Sequence, residues 1–205
     1  GSYAYDAEGI PGQRTQIVKG GRLESLLLDR TSAAFFGRKP TGNSRVRLYS
    51  PFEELEVFDD TAGLKGHRLP NIPEVRMSNT VTHALEPKQF RQLQACARKE
   101  AEKRGLDFYV LIDSIHGAEV DIESGAVRGK NVLGYQIFPH GVRKPFRGVD
   151  IRGSSASILK SFVAFGDEPQ TRFGQCEASS GLLPITEVTP WSVSNGVELH
   201  RLVEE

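Results

Sequence analysis

Residues 173–177 read Phe-Gly-Gln-Cys-Glu, and two prolines follow at defined distances. Cys176 lies eight positions before Pro184 and fourteen positions before Pro190. A second distinctive stretch, residues 6–15, lies far upstream and reads Asp-Ala-Glu-Gly-Ile-Pro-Gly-Gln-Arg-Thr. The upstream stretch is not a phosphate-binding loop, because its glycines are not followed by Gly-Lys-Ser or Gly-Lys-Thr. The prediction of the fold depends on both stretches together, one near the N-terminus and the other near the C-terminus of the sequence.

The composition is typical of a globular protein. The chain has 205 residues, of which 38% are hydrophobic and 25% are charged, which suits one domain or one lobe of a longer protein. Lys and Arg number 26, as do Asp and Glu, so the formal net charge is zero. A neutral chain creates no field that would attract nucleic acid or an anionic membrane. We therefore expect no nucleic-acid partner and no membrane partner.

Cysteines and histidines are sparse. Cys96 and Cys176 are too few for a disulfide framework in a chain of this length, although a single bridge between them remains open. For Cys96 we expect burial as a small apolar side chain. No two of the five histidines are spaced i, i+4, so the chain has no helical His-His zinc motif of its own. The histidines are His67, His83, His116, His140 and His200.

Glycines and prolines divide the chain into short elements. There are 21 glycines and 11 prolines, which favours strands joined by turns over a helical bundle. Gly20 and Gly21 predict a hairpin turn within residues 15–29. Apolar residues at helical spacing predict a helix over residues 87–104, and residues 108–112 are typical of a buried strand. We predict an α+β fold that is mainly β, with antiparallel sheets or a barrel-like β domain and two or three packed helices.

The C-terminal half contributes further strands and a second helix. Residues 132–138 and 147–151 are typical of strands on either side of a Pro-His-Gly turn. Ser154 or Ser155 can cap a short helix that continues as far as Gly166. These elements again favour a sheet with a helix laid on it.

Two other segments have marked patterns. Asn195-Gly196 predicts a hairpin within the tail, residues 185–203. Residues 46–68 are locally acidic, which is typical of a solvated surface loop. The first two residues, Gly-Ser, indicate a remnant of cloning.

Several blocks of sequence, in one order, resemble the C-terminal half of the TldD/PmbA family, zinc-dependent peptidases once called modulators of DNA gyrase. The blocks are residues 6–15, residues 40–43 (Pro-Thr-Gly-Asn), residues 75–80 (Val-Arg-Met-Ser-Asn-Thr), and Cys176 with its two prolines. Each block alone is a weak signal, but their combined order is specific. Residues 46–68 interrupt the pattern, so we predict that they are an insertion.

The resemblance implies that residues 3–205 form the C-terminal domain of a TldD-like metallopeptidase. In the catalytic branch of the family, a cysteine at the place of Cys176 is the third protein ligand of a zinc ion, which suits the softness of a thiolate. The other two ligands are histidines of an HExxxH helix in the N-terminal half, and this chain contains no HExxxH. The implied reaction is hydrolysis of peptides or unfolded segments. No catalytic residue is assigned within this chain, and we expect the fragment alone to be inactive.

Polar residues of the matching blocks are candidates for substrate binding. They are Arg14, Asn43, Arg76 and Asn79, and His116 is a further candidate. Each has a structural alternative, since Arg and Asn also bond to loops and carboxylates, and histidines are common on surfaces. The substrate is expected to lie extended and to add as a strand to a sheet edge. The resemblance also implies a dimer, with a PmbA-type partner or a second copy, and we expect a cytoplasmic protein.

The sequence departs from the family pattern in places. After Cys176 the family usually has Gly-Lys and then Gly-Gln, whereas this chain has Glu177 and Ala178, and Ser180 further on. Glu74 also stands where the family has another residue. A rival hypothesis is therefore a non-catalytic, PmbA-like binding or scaffold subunit. The missing Gly-Lys favours the rival, and the retained cysteine disfavours it.

Overall fold

The computed structural model describes residues 2–46 and 72–201. The predicted insertion at residues 46–68 lies outside these ranges except for its first position, and His67 lies outside them as well. Within the described ranges, no helix combines the length and the apolar content that crossing a membrane requires.

The chain divides into two compact units. The first takes the described residues of Gly1–Thr82 and Thr171–Thr189, and the second takes those of His83–Gln170 and Pro190–Glu205. Each unit combines segments that are distant in sequence, so contacts between distant segments form the interior of each unit. The single domain expected over residues 3–205 stays a prediction.

Twelve strands and three helices are present among the described residues, so the fold is mainly β with a few helices, as predicted. The helices are α1 (Arg30–Phe35), α2 (Phe90–Lys103) and α3 (Ser155–Lys160). The first five strands are β1 (Val18–Lys19), β2 (Arg22–Leu23), β3 (Ser44–Arg45), β4 (Glu74–Val75) and β5 (Asn79–Val81). The longer strands follow as β6 (Tyr109–Ser114), β7 (Gly117–Val120), β8 (Ala126–Ile137), β9 (Arg143–Ser154), β10 (Phe162–Cys176), β11 (Leu183–Ser194) and β12 (Glu198–Arg201).

The strands form open sheets. β1 pairs with β2 and β3 pairs with β4, both antiparallel. A five-stranded antiparallel sheet has the order β12-β9-β8-β6, and β7 also pairs with β8. β11 lies between β10 and β5, and its pairing with β5 is parallel. Antiparallel pairing therefore prevails, as predicted, but the strands of the described residues do not close into the barrel-like form that was the alternative.

Two predicted turns are confirmed by the backbone angles. Gly20 and Gly21, between β1 and β2, have φ values of 55° and 77°, a region that glycine enters at little cost. β8 and β9 are joined by a short 3-10 turn at Pro139–Gly141, in which His140 has a φ of 63°. His140 is therefore a turn residue, as the sequence indicates.

Helix α2 contributes to the core of the second unit. It confirms the helix predicted over residues 87–104. Leu93, which is only 4% exposed, packs with Ala164 and Val193. Cys96 lies half-buried against this cluster as a free cysteine. The predicted role of Cys96 as a small packing residue is confirmed.

Helix α3 begins as predicted but ends earlier. The Ser154 hydroxyl accepts a hydrogen bond from the Ser157 N–H at 3.1 Å, so Ser154 is the N-cap. The prediction that this helix continues to Gly166 is wrong, because Gly166 lies within β10. A Cβ at Gly166 would lie 3.2 Å from Leu93 and 3.3 Å from the Trp191 carbonyl oxygen. This glycine therefore permits a close approach of packed elements and does not end a helix.

The hairpin predicted around Asn195-Gly196 is wrong, although the chain does bend at these two residues. β12, which follows the bend, pairs with β9 and not with β11. The Asn195 backbone N–H donates to the Ser161 carbonyl oxygen at 3.0 Å, and its side chain donates to Glu100 at 3.0 Å. These long-range bonds hold the bend where the chain passes from one sheet to another.

Gly42 and Gly37 are a matched pair for testing close packing. Gly42 has a φ of 71°, and a Cβ there would lie 2.2 Å from the Pro11 carbonyl oxygen, whereas Gly37 has a φ of 60° and open space around it. Both glycines have a left-handed backbone conformation, so an alanine is strained at either position. Only Gly42→Ala adds a steric overlap to that strain. We expect Gly42→Ala to lower the free energy of unfolding by about 3 kcal/mol or more and Gly37→Ala by about 1 kcal/mol, measured by urea denaturation. Equal losses would contradict the close approach.

Candidate functional site

Arg76 lies at the centre of a buried polar cluster in the first unit. It directly follows β4 and is only 5% exposed. Its Nη1 donates to the Ser180 hydroxyl at 2.5 Å and to the Gly181 carbonyl oxygen at 3.0 Å, and its Nη2 donates to the carbonyl oxygen of Cys176. Arginine suits this task because its guanidinium holds several donors in a rigid fork. One side chain therefore binds both ends of the cysteine loop, defined here as residues 177–182 between β10 and β11.

Asn43 forms hydrogen bonds with both backbone polar groups of Arg76. The Arg76 N–H donates to the Asn43 carbonyl oxygen at 2.9 Å, and the Asn43 side-chain Nδ2 donates to the Arg76 carbonyl oxygen at 3.3 Å. Asn43 is 7% exposed. Its Oδ1 is buried and has no hydrogen-bond partner within residues 2–46 and 72–201. Two blocks that the sequence analysis singled out are thus bonded reciprocally.

Asp6 ties the first block to the same cluster. Its carboxylate accepts hydrogen bonds from the backbone N–H groups of Glu8 and Ile10, both at 2.9 Å, and of Ser44 at 3.0 Å. The Ala7 N–H donates to the Ser44 carbonyl oxygen at 2.8 Å. Charge-assisted bonds of this kind are stronger than those between neutral groups. The loop that begins at Asp6 is therefore anchored on β3, next to Asn43.

Glu74 binds the middle of the cysteine loop. Its carboxylate accepts from the Ser180 N–H at 3.0 Å and from the Ser179 hydroxyl. These bonds hold the pKa of the Glu74 carboxyl below its usual value, and the bond from Ser179 has the largest effect. The positive charge of Arg76 acts in the same direction. The loop is thus attached to one acidic and one basic residue of a single short segment.

Arg45 brings a second positive charge towards Cys176. It is 8% exposed, donates to the carbonyl oxygens of Met77 and Pro184, and lies 5.1 Å from the centre of the Tyr3 ring. Burial is the main cause that lowers the pKa of Arg45, whereas the charges of Tyr3 and Cys176 act in the opposite direction. The Arg45 guanidinium is thus held between Met77 and Pro184, the latter in β11.

Cys176 is a half-buried free cysteine at the C-terminal end of β10. The bridge with Cys96 that the sequence left open is not formed, since both cysteines are free. Across the described ranges, no three His, Cys, Asp or Glu side chains form a group that could hold a metal ion. A half-buried thiol on a held backbone fits one position of a zinc site. Further ligands would have to come from beyond the described residues.

The five candidate substrate residues are not all brought together. Arg14 and Asn79 are exposed in the first unit, and His116 is exposed in the second unit. Asn43 and Arg76 belong to the buried cluster, where the bonds described above join them to other protein groups. The geometry therefore gives these two a structural task, and a part in substrate binding stays a prediction for all five.

Three residues of the cluster were not among the sequence-based candidates: Asp6, Glu74 and Ser180. Asp6 opens the first matching block, which was a usable signal. Glu74 and Ser180 both stand where the sequence departs from the family pattern, and the structure joins them by a hydrogen bond. Two departures at distant positions can indicate a contact, but a single sequence does not show which departures belong together.

Solved structures of known proteins share this fold. The putative modulator of a DNA gyrase from Thermotoga maritima superimposes with a TM-score of 0.61 at 18% identity, covering 97% of this chain and 35% of that one. TldE from Thermococcus kodakarensis gives a TM-score of 0.62 at 15% identity, covering 97% and 36%. At such identities the likeness defines the fold alone.

Sequence comparison defines the family. Residues 1–194 match the PmbA/TldA metallopeptidase C-terminal domain, so the chain belongs to this family, as predicted. A metalloprotease from Methanothermobacter thermautotrophicus is 27% identical over 192 residues, which cover 93% of this chain and 35% of the relative. A zinc metalloprotease TldD homolog from Saccharolobus solfataricus is 24% identical over 186 residues, covering 91% and 35%. The chain thus spans about a third of the length of these curated relatives.

We expect Glu74→Gln to lower the stability of the fold at neutral pH and to have little effect in acid. The folded pKa of Glu74 lies below the unfolded one. Its stabilisation is therefore complete above the unfolded value and is lost as the pH falls through the lower, folded value. Thermal unfolding midpoints between neutral pH and about pH 3 measure this dependence. Glu177→Gln, an exposed carboxylate of the same loop, is the control, and a pH-independent deficit in Glu74→Gln would contradict the assignment.

Proposed function

We propose that this chain is the C-terminal part of a TldD-type zinc-dependent peptidase and that Cys176 is one of the zinc ligands. The observation that carries the proposal is the anchoring of Cys176, whose carbonyl oxygen is bound by Arg76 and whose following loop is bonded to Arg76 and Glu74. A backbone held in this way presents its side chain in one direction, as coordination requires. The family and its relatives named metalloproteases support the peptidase class.

The residues present fit one corner of a zinc site. The thiolate of Cys176 would be the ligand, and Arg76 binds the carbonyl oxygen of the same residue. We propose that the remaining ligands are the histidines of an HExxxH helix elsewhere in the natural protein. Bound zinc would supply a Lewis acid and a water of lowered pKa. The task of this chain is to hold the thiol and to line the cleft.

The proposed substrates are peptides or unfolded segments of proteins. Arg14 and Asn79 are exposed polar side chains, and so they are open to an extended chain. β5, which carries Asn79, pairs with β11 along one side only among the described strands. An extended peptide can add to such an edge through its backbone, with little dependence on side chains. His116 remains a proposed contact in the second unit.

We also propose a dimer, formed with a PmbA-type partner or with a second copy, in the cytoplasm. Relatives named after TldD and a solved structure named TldE share this family or this fold, which supports a two-subunit assembly. No nucleic-acid partner is proposed, because the formal net charge is zero.

In the natural protein that carries this chain, we expect about one zinc ion per chain, which Cys176→Ala should remove. Cys96→Ala is the matched control, since Cys96 packs against an apolar cluster. Elemental mass spectrometry after purification without chelator measures the zinc content. A parent protein that holds no zinc even after resupply, or a Cys176→Ala variant with undiminished zinc, would overturn the proposal.

A non-catalytic binding or scaffold subunit is the second candidate. The sequence after Cys176 favours it, because Glu177 and Ala178 replace the Gly-Lys of the family pattern and add a negative charge. The retained cysteine speaks against it, since a subunit without zinc has no need of a thiolate at that place.

Cleavage separates the two candidates. For a peptidase, we expect the natural protein to cleave an unfolded substrate such as reduced casein and a chelator to stop the cleavage. Cys176→Ala, which loses a direct zinc ligand, should lower kcat/KM by more than the loss of about 10-fold to 100-fold that removal of an outer-shell partner causes. Mass spectrometry of the products measures this directly. If the zinc-supplied protein binds casein and leaves it intact, the scaffold hypothesis replaces the peptidase.

A further inference from the structure

The cysteine loop is attached at both ends and in the middle to one short segment of chain. Arg76 binds the carbonyl oxygen that precedes the loop and the Gly181 carbonyl oxygen near its end. Glu74 and Arg76 both bind Ser180, which is completely buried. A connection of six residues, 177–182, is thereby held in one conformation by hydrogen bonds from two side chains.

The bond to the Cys176 carbonyl has a direct effect on the thiol. The direction of a Cα–Cβ bond follows from the peptide planes on either side of the residue. On the N-terminal side, Cys176 is the last residue of β10. On the C-terminal side, its peptide group is held by Arg76. The thiol then retains only the rotation about its own Cα–Cβ bond.

Arg76 can hold the loop in a fixed position because its own backbone is held. Asn43 binds both the N–H and the carbonyl oxygen of Arg76. A lysine at position 76 would keep the charge but could not reproduce three bonds to separate acceptors in a planar fork. The geometry of the loop therefore depends on an arginine here.

We infer that Arg76 and Glu74 are positioning residues for Cys176, which hold the cysteine loop so that the thiol points in the direction at which it binds zinc. Neither residue needs to touch the metal, because both act through hydrogen bonds to the loop. Glu74 acts on the middle of the loop, through its bonds to Ser179 and Ser180. The inference rests on the proposed function, because it takes Cys176 as a zinc ligand.

The test compares Arg76→Lys and Glu74→Gln with two controls in the natural full-length protein. Arg38→Lys and Glu24→Gln make the same chemical changes at exposed positions of the first unit, away from the cysteine loop. Zinc affinity is measured by competition with a chromophoric chelator, at a temperature well below the unfolding midpoint of every variant. We expect Arg76→Lys to weaken zinc binding by about 10-fold to 100-fold, as loss of outer-shell support does elsewhere, and Glu74→Gln by about 10-fold. Both controls should stay within about twofold of the parent, a smaller change than outer-shell losses cause.

Two further readouts separate positioning from general stability. With cobalt in place of zinc, the near-ultraviolet absorption of the cobalt–thiolate bond should weaken in Arg76→Lys even at saturating metal. In the metal-free protein with Cys96→Ala as background, Cys176 should be alkylated faster by iodoacetamide in both variants, because a loosened loop uncovers a half-buried thiol. Glu74→Gln, the milder change, decides the question if Arg76→Lys does not fold.

The outcomes distinguish this inference from the proposed function. If the parent binds zinc through Cys176 and both variants match it in zinc affinity, cobalt spectrum and alkylation rate, the positioning role is overturned while the zinc site stands. If the parent binds no zinc, the proposed function fails. The inference that Arg76 and Glu74 orient a zinc ligand fails with it.

Discussion

The rest of the site depends on the buried guanidinium of Arg76, which binds the carbonyl oxygen of Cys176 and two groups of the loop that follows it. Burial of a cation costs solvation free energy, which the protein recovers only when the donors are matched by acceptors. The acceptors here belong to a loop about 100 residues further along the chain. The first unit therefore cannot bury Arg76 without also bringing the cysteine loop to β4. Burial of Arg76 and placement of the cysteine loop are thus coupled.

The interiors of the two units differ in kind, and the difference suits their tasks. Val132, Leu93 and Ile151 are among the buried apolar side chains of the second unit, where burial of area is the main stabilising effect. In the first unit, many buried side chains are polar, and Asp6 and Arg76 are among them. Hydrogen bonds have direction, so a satisfied polar network specifies geometry more narrowly than apolar packing does. The polar interior of the first unit therefore fixes the backbone around Cys176 more narrowly than apolar packing would.

The described residues supply one cysteine on a held backbone and no complete metal site. Cys176 lies at the junction of a strand and a loop, a common place for functional residues because the strand is rigid and the loop is free to vary. Here the loop is held in place by the bond between Ser180 and Glu74. A ligand whose backbone is already ordered loses less conformational entropy when a metal binds. The same advantage would apply to Cys176 in the proposed zinc site.

The sequence by itself determined the features whose cause is local. Helix α2 follows from apolar spacing, and the turn at Gly20-Gly21 follows from the angles that glycine permits. Family membership follows from the order of short blocks along the chain, of which Cys176 and its two prolines are the last. The tertiary structure decided which distant groups meet. The chain bends at Asn195-Gly196 without forming the predicted hairpin, and β12 pairs with β9, because the partner of a strand depends on the whole sheet and not on the residues just before it. Likewise, nothing near Arg76 in the sequence identifies its three acceptors, because a buried guanidinium bonds to whichever carbonyl and hydroxyl groups the fold brings within reach.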